Sequence, residues 1–380
     1  MTCSNYHLKE QFKISIMKKK LQFTPIGYTK YLKGLKKTHA LFRKGKKLES
    51  LAIKSWEIAP GNTSITPKAY FLEGQLNRIT GTAYTDNPKT MMHGGLTIKH
   101  EPTRAYMLKN VWMINGSLHK GLHRFLLHST SKLTTKMNYF PPFIIDTEIN
   151  NASIYSSYDG HEFFGLWLTD DCTMYQLAAS EGVPITSNIF ISPHMTEYES
   201  ALEMKPLRSN TAYLKNAIFF DDDWGNSESK HKRFSVNRNK LLSMFPGTSH
   251  PGVFILRGNS GTTRVMVNEI EIAEQLRDKY GFRIVDVTKQ SASEIISACV
   301  GAQILIGIEG SHLMHGLMVL QPGASVLTLQ PPYRFCGVIK ITTDMENLNY
   351  GFVVGIPKED GFFINLEEVE RTIDLLPLKL

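Results

Sequence analysis

Residues 303–334 read QILIGIEGSHLMHGLMVLQPGASVLTLQPPYR. Ile304, Leu305 and Ile306 form a short apolar run that stops at Gly307, the pattern of a strand buried on both faces. Glu309, Gly310, Ser311 and His312 follow as a tight turn. Leu313, Leu317 and Leu320 then recur at helical spacing until Pro322 and Gly323 end the helix. A second buried strand, Ala324 to Leu329, closes the unit before Pro331 and Pro332. Strand, turn, helix and strand in this order predict two parallel strands joined by a right-handed crossover. Open parallel sheets bind ligands at the carboxyl ends of their strands, and the Glu309–His312 turn sits at such an end.

The pattern extends upstream to Gly252. Val253 to Leu256 reads as a strand and Arg257-Gly258-Asn259-Ser260-Gly261 as a turn, before a helix from about Arg264 to Tyr280 that Gly281 caps. Arg283 to Val287 is a further strand. Ser291 with Glu294 three residues on is a capping-box signature for a helix running to about Val300. Four strands alternating with three helices predict a doubly wound α/β unit whose ligand-facing loops include Arg257–Thr263, Ile308–Ser311 and Gln330–Arg334. After about residue 335 the alternation lapses, and Leu366 to Leu376 reads as a final amphipathic helix.

Residues 56 to about 245 are less regular. Pro60, Gly61, Pro67, Gly74, Gly81 and Pro88 punctuate short segments ahead of a strand at Val111–Ile114, a turn at Asn115-Gly116 and an apolar run at Phe143–Ile145. In HEFFGLWLTDDCTMYQLAASEG, Phe163, Leu166, Trp167, Asp170 and Asp171 fall near one side of a helix that Gly182 ends. Ile189–Ile191 and Ala217–Phe220 are further expected strands, the latter leading into Asp221-Asp222-Asp223.

At 380 residues, 42% apolar and 21% charged, the composition is that of a globular chain with room for two domains. It contains no apolar stretch long enough to span a bilayer, and its opening residues lack the apolar core and cleavage site of a secretory signal. Cys3, Cys172, Cys299 and Cys336 are widely spaced, which suits reduced thiols in the cytoplasm. The net charge of +8 is uneven: residues 1–54 hold 14 Lys or Arg against 2 acids, leaving 29 against 33 elsewhere. The basic segment is an amino-terminal arm, suited to anionic lipid or polyanionic glycan or to plain solvation. With no nucleic-acid-binding module beside it, nucleic acid is not expected as a partner.

Several residues are candidates for chemistry. Arg257 and Arg264, with Asn268 a turn further on, would suit a pyrophosphate, because planar guanidiniums bind phosphate oxygens in pairs. Glu309, His312 and His315 cluster by sequence without the H-E-x-x-H order of a zinc site. Glu309 is expected to meet ribose or sugar hydroxyls, His312 a phosphate or acceptor, and His315 to be a core histidine. Asp170 or Asp171, beside Trp167, is a candidate general base for an acceptor hydroxyl, with surface acids as the plain alternative. Asp221–Asp223 resembles a metal-binding acidic triplet but is followed by Gly225, Asn226 and Ser227, as in a solvated loop. The absence of a P-loop lysine and of G-x-G-x-x-G argues against ATPase and dehydrogenase chemistry.

The segment from Val253 to Pro332 resembles the carboxyl-terminal domain of glycosyltransferase family 61, also described as the DUF563 proteins. The likeness rests on the Arg257, Arg264, Asn268 series, the Glu309–His312 turn and Leu320–Gly323. FFGLWLTDD resembles the family's F-G-H-W-L-x-D segment, and APGNTSITPKAYFLEGQLNRITG the start of its amino-terminal domain, so the likeness spans roughly residues 56–335. It implies a GT-B-like fold of two facing Rossmann-like domains. Expected divisions are a basic arm (1–54), an acceptor-side α/β domain (55–248), a nucleotide-sugar domain (249–345) and a tail with a final helix (346–380).

The implied activity is inverting transfer from a nucleotide-sugar to a glycan or lipid-linked glycan acceptor, with no cofactor and no essential metal. The expected setting is cytoplasmic, with the arm at the inner face of the membrane. Asp170, Asp171, Glu309 and His312 are the catalytic candidates, and Arg257, Arg264, Asn268, Gly310 and Ser311 the donor-binding ones. Two departures qualify this. Glu309-Gly310-Ser311-His312 stands where members commonly have His-Gly-Ala-Gly, a variant that points to bacterial polysaccharide or capsule biosynthesis. Leu166 stands where many have His, which shifts the expected base to Asp170. The rival expectations are a non-catalytic nucleotide- or glycan-binding protein and a metal-dependent transferase using Asp221–Asp223.

Overall fold

The computed structural model describes residues 48–83, 87–114, 117–120, 123–126, 145–187, 191–222, 227–258 and 264–377. The basic arm to residue 47, the Asn115-Gly116 turn, Phe143 and Ile144, Ile189, Asp223 to Asn226 and the Asn259–Thr263 loop lie outside the described residues.

The expected parallel sheet is present. Arg283–Asp286, His250–Leu256, Ala302–Ile308, Ser325–Gln330 and Asn349–Val354 lie side by side in that order, every pairing parallel. Numbered along the chain the order is 2-1-3-4-5, a doubly wound arrangement whose switch point falls between the first and third strands. Side chains alternate between two cores. Val253, Ile255 and Leu305 face one, with Ile295, Ile296 and Leu317. Phe254, Ile304 and Ile306 face the other, with Ile272 and Leu276. This two-sided burial is why the strands read as continuous apolar runs. The predicted caps are in place: Ser291 and Glu294 form both bonds of the capping box, and Gly281 takes the left-handed conformation (φ 73°) after Glu269–Tyr280.

Three local expectations are corrected. The helix after the Glu309 turn is short, a 3-10 turn at Ser311–Leu313 and one α-turn at Met314–Leu317. It ends before Pro322 because the amides of Val319 and Leu320 both turn to the Gly316 carbonyl. The helix expected from Arg264 begins at Glu269, because Val265 to Val267 are extended and exchange backbone hydrogen bonds with Phe362. Residues beyond 335 keep the alternation, as a helix, Val338–Met345, leads into the fifth strand. The final helix, Leu366–Ile373, packs Val369 and Ile373 into the second core.

The other large sheet is mixed. Leu207–Arg208, Val183–Thr186, Thr147–Ile154 and Thr211–Asp221 run parallel, and then Thr103–Ile114 pairs antiparallel with Thr211–Asp221. One core runs between the sheets, joining Tyr155, Trp167, Tyr198 and Phe234 to Val253, Leu317 and Ile339. Residues 69–83 also cross over: Ala83 lies in a short parallel pairing with Cys336, and the Val354 amide donates to Gln75 Oε1 at 2.5 Å. No helix among the described residues is long and apolar enough to cross a membrane. Cys172, Cys299 and Cys336 are buried free thiols.

Candidate active site

The first and third strands of the parallel sheet end at Leu256 and Ile308, so the loops that Arg257 and Glu309 open meet at the switch point. Arg264 arrives there from the extended segment and Arg334 from the loop after the fourth strand. Arg264 Nη1 lies 2.6 Å from Glu309 Oε2 and also donates to the Glu309 carbonyl. Arg334 Nη1 lies 3.5 Å from the same carboxylate oxygen. Arg257 Nη1 faces His312 Nδ1 at 3.4 Å. A Cβ at Gly310 would collide with Arg257 Nη1 and come within 3.0 Å of Arg264 Nη1, at a φ of +156°. Glycine is therefore what allows the two guanidiniums to close over the turn.

Burial dominates the electrostatics. It pulls the Arg257 guanidinium down to about 10, with Arg264 adding to the effect, and lowers Arg264 as well. Burial, with Arg257, His315 and Arg264 beside it, holds His312 well below the usual histidine range. His312 is thus a neutral ring at physiological pH, able to accept from Arg257. Glu269 receives the backbone N–H groups of Arg257 and Gly258 at 2.6 and 3.2 Å and fixes where the Arg257 loop leaves its strand.

The FFGLW segment roofs this site. A Cβ at Gly165 would lie 3.1 Å from Ser311 Oγ and Met314 Cγ, so the segment rests directly on the Glu309–His312 turn. Its continuation, Trp167–Asp171, is a π-helical turn between α-helical flanks, a local widening that often marks functional sites. The adjacent aspartates diverge there. Asp171 is 1% exposed, accepts from Ser157 N and Oγ at 3.0 and 2.7 Å, and is pushed well above the usual carboxylate range by burial. Asp170 forms an ion pair with Lys230 and lines a cavity of about 20 Å³ with Leu166, Val338 and Ile341. A cavity that size holds roughly one water.

The remaining candidates are placed elsewhere. Asn268 is not turned to the arginines: its amide donates to Ile364 O at 2.8 Å and accepts from Ile364 N at 3.1 Å. Glu309, His312 and His315 do not converge, since His315 Nδ1 meets Tyr198 OH at 3.0 Å inside an aromatic cluster with Phe164. No group of three His, Cys, Asp or Glu side chains among the described residues is arranged to hold a metal. Asp222 has both oxygens engaged, one by Thr103 Oγ1 at 2.8 Å and the other by Arg233. Sequence reasoning named the Arg334 loop but not Arg334 as a ligand group, and missed Lys230. Only its strand-end position could have flagged Arg334, and nothing local distinguishes Lys230.

The Glycosyltransferase 61 family profile matches residues 107–327. The chain belongs to that family. It is also similar to protein O-linked-mannose beta-1,4-N-acetylglucosaminyltransferase 2 of Takifugu rubripes, with 34% identity over 80 residues. That match covers 20% of this chain and 13% of the relative. Both are likenesses to proteins described as glycosyltransferases.

Proposed function

We propose that the protein is an inverting glycosyltransferase that takes a sugar from a nucleotide-sugar donor to a glycan hydroxyl. The observation that supports this best is the set of three guanidiniums, Arg257, Arg264 and Arg334, gathered at the switch point around Glu309. Planar guanidiniums meeting at one strand-end turn suit a pyrophosphate, whose oxygens they can bond in pairs. In the transfer, the bond from the anomeric carbon to the β-phosphate oxygen breaks and its electron pair stays on that oxygen. The acceptor oxygen bonds to the carbon from the opposite face, and its proton passes to a base. The arginines stabilise the charge that develops on the leaving diphosphate, work that a metal would otherwise do. Asp170 is the proposed base, because Asp171 is sealed in and held by Ser157. The two sheets are read as a GT-B-like pair, with the acceptor entering on the Asp170 side. The bacterial polysaccharide setting rests on the form of the Glu309–His312 turn.

Arg257→Ala and Arg264→Ala should each weaken nucleoside diphosphate binding by about 1.5–3 kcal/mol in calorimetric titration. Unchanged affinity in both folded variants would remove the donor site. A second reading, a binding protein without turnover, is favoured by the Lys230–Asp170 ion pair in its one-water cavity. Transfer activity with any acceptor would exclude it.

A further inference from the structure

The site contains a carboxylate that an anion-binding crevice does not need. Glu309 is 4% exposed and sits 2.6 Å from Arg264 and 3.5 Å from Arg334, where an approaching phosphate oxygen would otherwise bond. We infer that Glu309 sets the preference between donor and product by limiting the positive charge that Arg257, Arg264 and Arg334 present. The inference rests on the donor site proposed above.

The two ligands differ in charge. In a nucleotide-sugar both phosphates are diesters with one negative charge each. Once the sugar has left, the β-phosphate is terminal, and its second ionisation near pH ~6 gives the nucleoside diphosphate additional charge at neutral pH. In a buried site with little water to screen it, repulsion from Glu309 grows with the charge of the ligand. Glu309 therefore disfavours the product more than the donor, which speeds release of a leaving group the arginines would otherwise retain. Glu269 also lies close, but it binds backbone N–H groups and is the same in every variant, so its influence cancels in comparison. A hydrogen bond from Glu309 to ribose or sugar hydroxyls would act in the opposite sense, because losing it weakens both ligands.

The test is calorimetric titration of wild type and variants with UDP, GDP, UDP-glucose, GDP-mannose and inorganic pyrophosphate at neutral pH. Glu309→Gln should bind the preferred diphosphate about tenfold more tightly than wild type and its sugar conjugate only about threefold more tightly, with pyrophosphate following the diphosphate. Glu309→Asp, which keeps the charge and shortens the reach, should retain the wild-type ratio, whereas a merely structural role would shift both variants alike. Arg334→Gln should move the ratio the other way, and it decides the matter if Glu309→Gln does not fold. Weaker binding by Glu309→Gln, or an unchanged ratio in a wild type that binds, would overturn this inference alone. If neither wild type nor Glu309→Gln binds any of the five probes, the donor-site reading fails and the inference falls with it.

Discussion

At the scale of single residues, the adjacent aspartates show how one peptide unit separates two fates. In an α-helix neighbouring side chains already point about 100° apart, and the π-turn at Trp167–Asp171 sends Asp170 to Lys230 and Asp171 to Ser157. A base works in the transition state, so Asp170→Asn should lower turnover about a hundredfold or more while donor affinity stays nearly level. Asp171→Asn keeps an oxygen for Ser157 and should cost turnover less than about fivefold. Initial-rate kinetics on both variants check this, and equal losses would undo the assignment. The arginines at 257 and 264 were legible because they flank a Gly-rich loop after a buried strand. Lys230 was not, because a buried lysine on a polar helix shows itself only when its partner is brought from 60 residues away.

At the scale of elements, the helix Val338–Met345 holds a buried pair of its own. Lys340 donates to Pro67 O at 2.8 Å and contacts Asp344 at 2.7 Å, and burial pushes Asp344 up to about 6. The folded state therefore binds this proton more tightly than the unfolded chain, whose aspartate titrates near ~4. Its contribution is fully present below that pH and is lost as pH rises through the folded value. Relative to Asp344→Asn, wild type should lose on the order of 2 kcal/mol between pH ~4 and ~6. Denaturant melts across that window check it, and a parallel pair of curves would refute it. The sequence announced neither this helix nor the strand after it, because NYGFVV mixes Asn and Gly into its apolar run. The mixed sheet was legible only in part: Val111–Ile114 and Ala217–Phe220 read as strands, but residues 103–110 of the long strand mix buried, half-buried and exposed positions, so no continuous apolar run marks that half.

At the scale of the molecule, the helix Glu228–Met244 ties the two sheets together. Arg238 meets Glu346 at 2.8 Å and His231 meets it at 3.2 Å, with Glu346 fully buried. Glu346→Gln leaves Arg238 buried without its counter-charge and should cost about 3–5 kcal/mol. Because one core spans both sheets, far- and near-ultraviolet circular dichroism should report a single shared transition in wild type and variant. Two separated transitions would mean that the halves fold independently.

The crossing of residues 69–83 into the parallel sheet also has a consequence for biosynthesis. Gln75 and Val354 are 279 residues apart, yet they share a backbone-to-side-chain hydrogen bond. At about 5–20 residues per second, the ribosome needs roughly 15–60 s to make the partner after the segment has emerged. During that interval Ala69 and Leu76 lack the strand Asn349–Val354, and Thr82–Ala83 lacks its pairing partner Phe335–Cys336, because neither has yet been made. The segment is therefore exposed nascent chain, open to holdase chaperones, until synthesis has passed the fifth strand and the sheet edge can receive it.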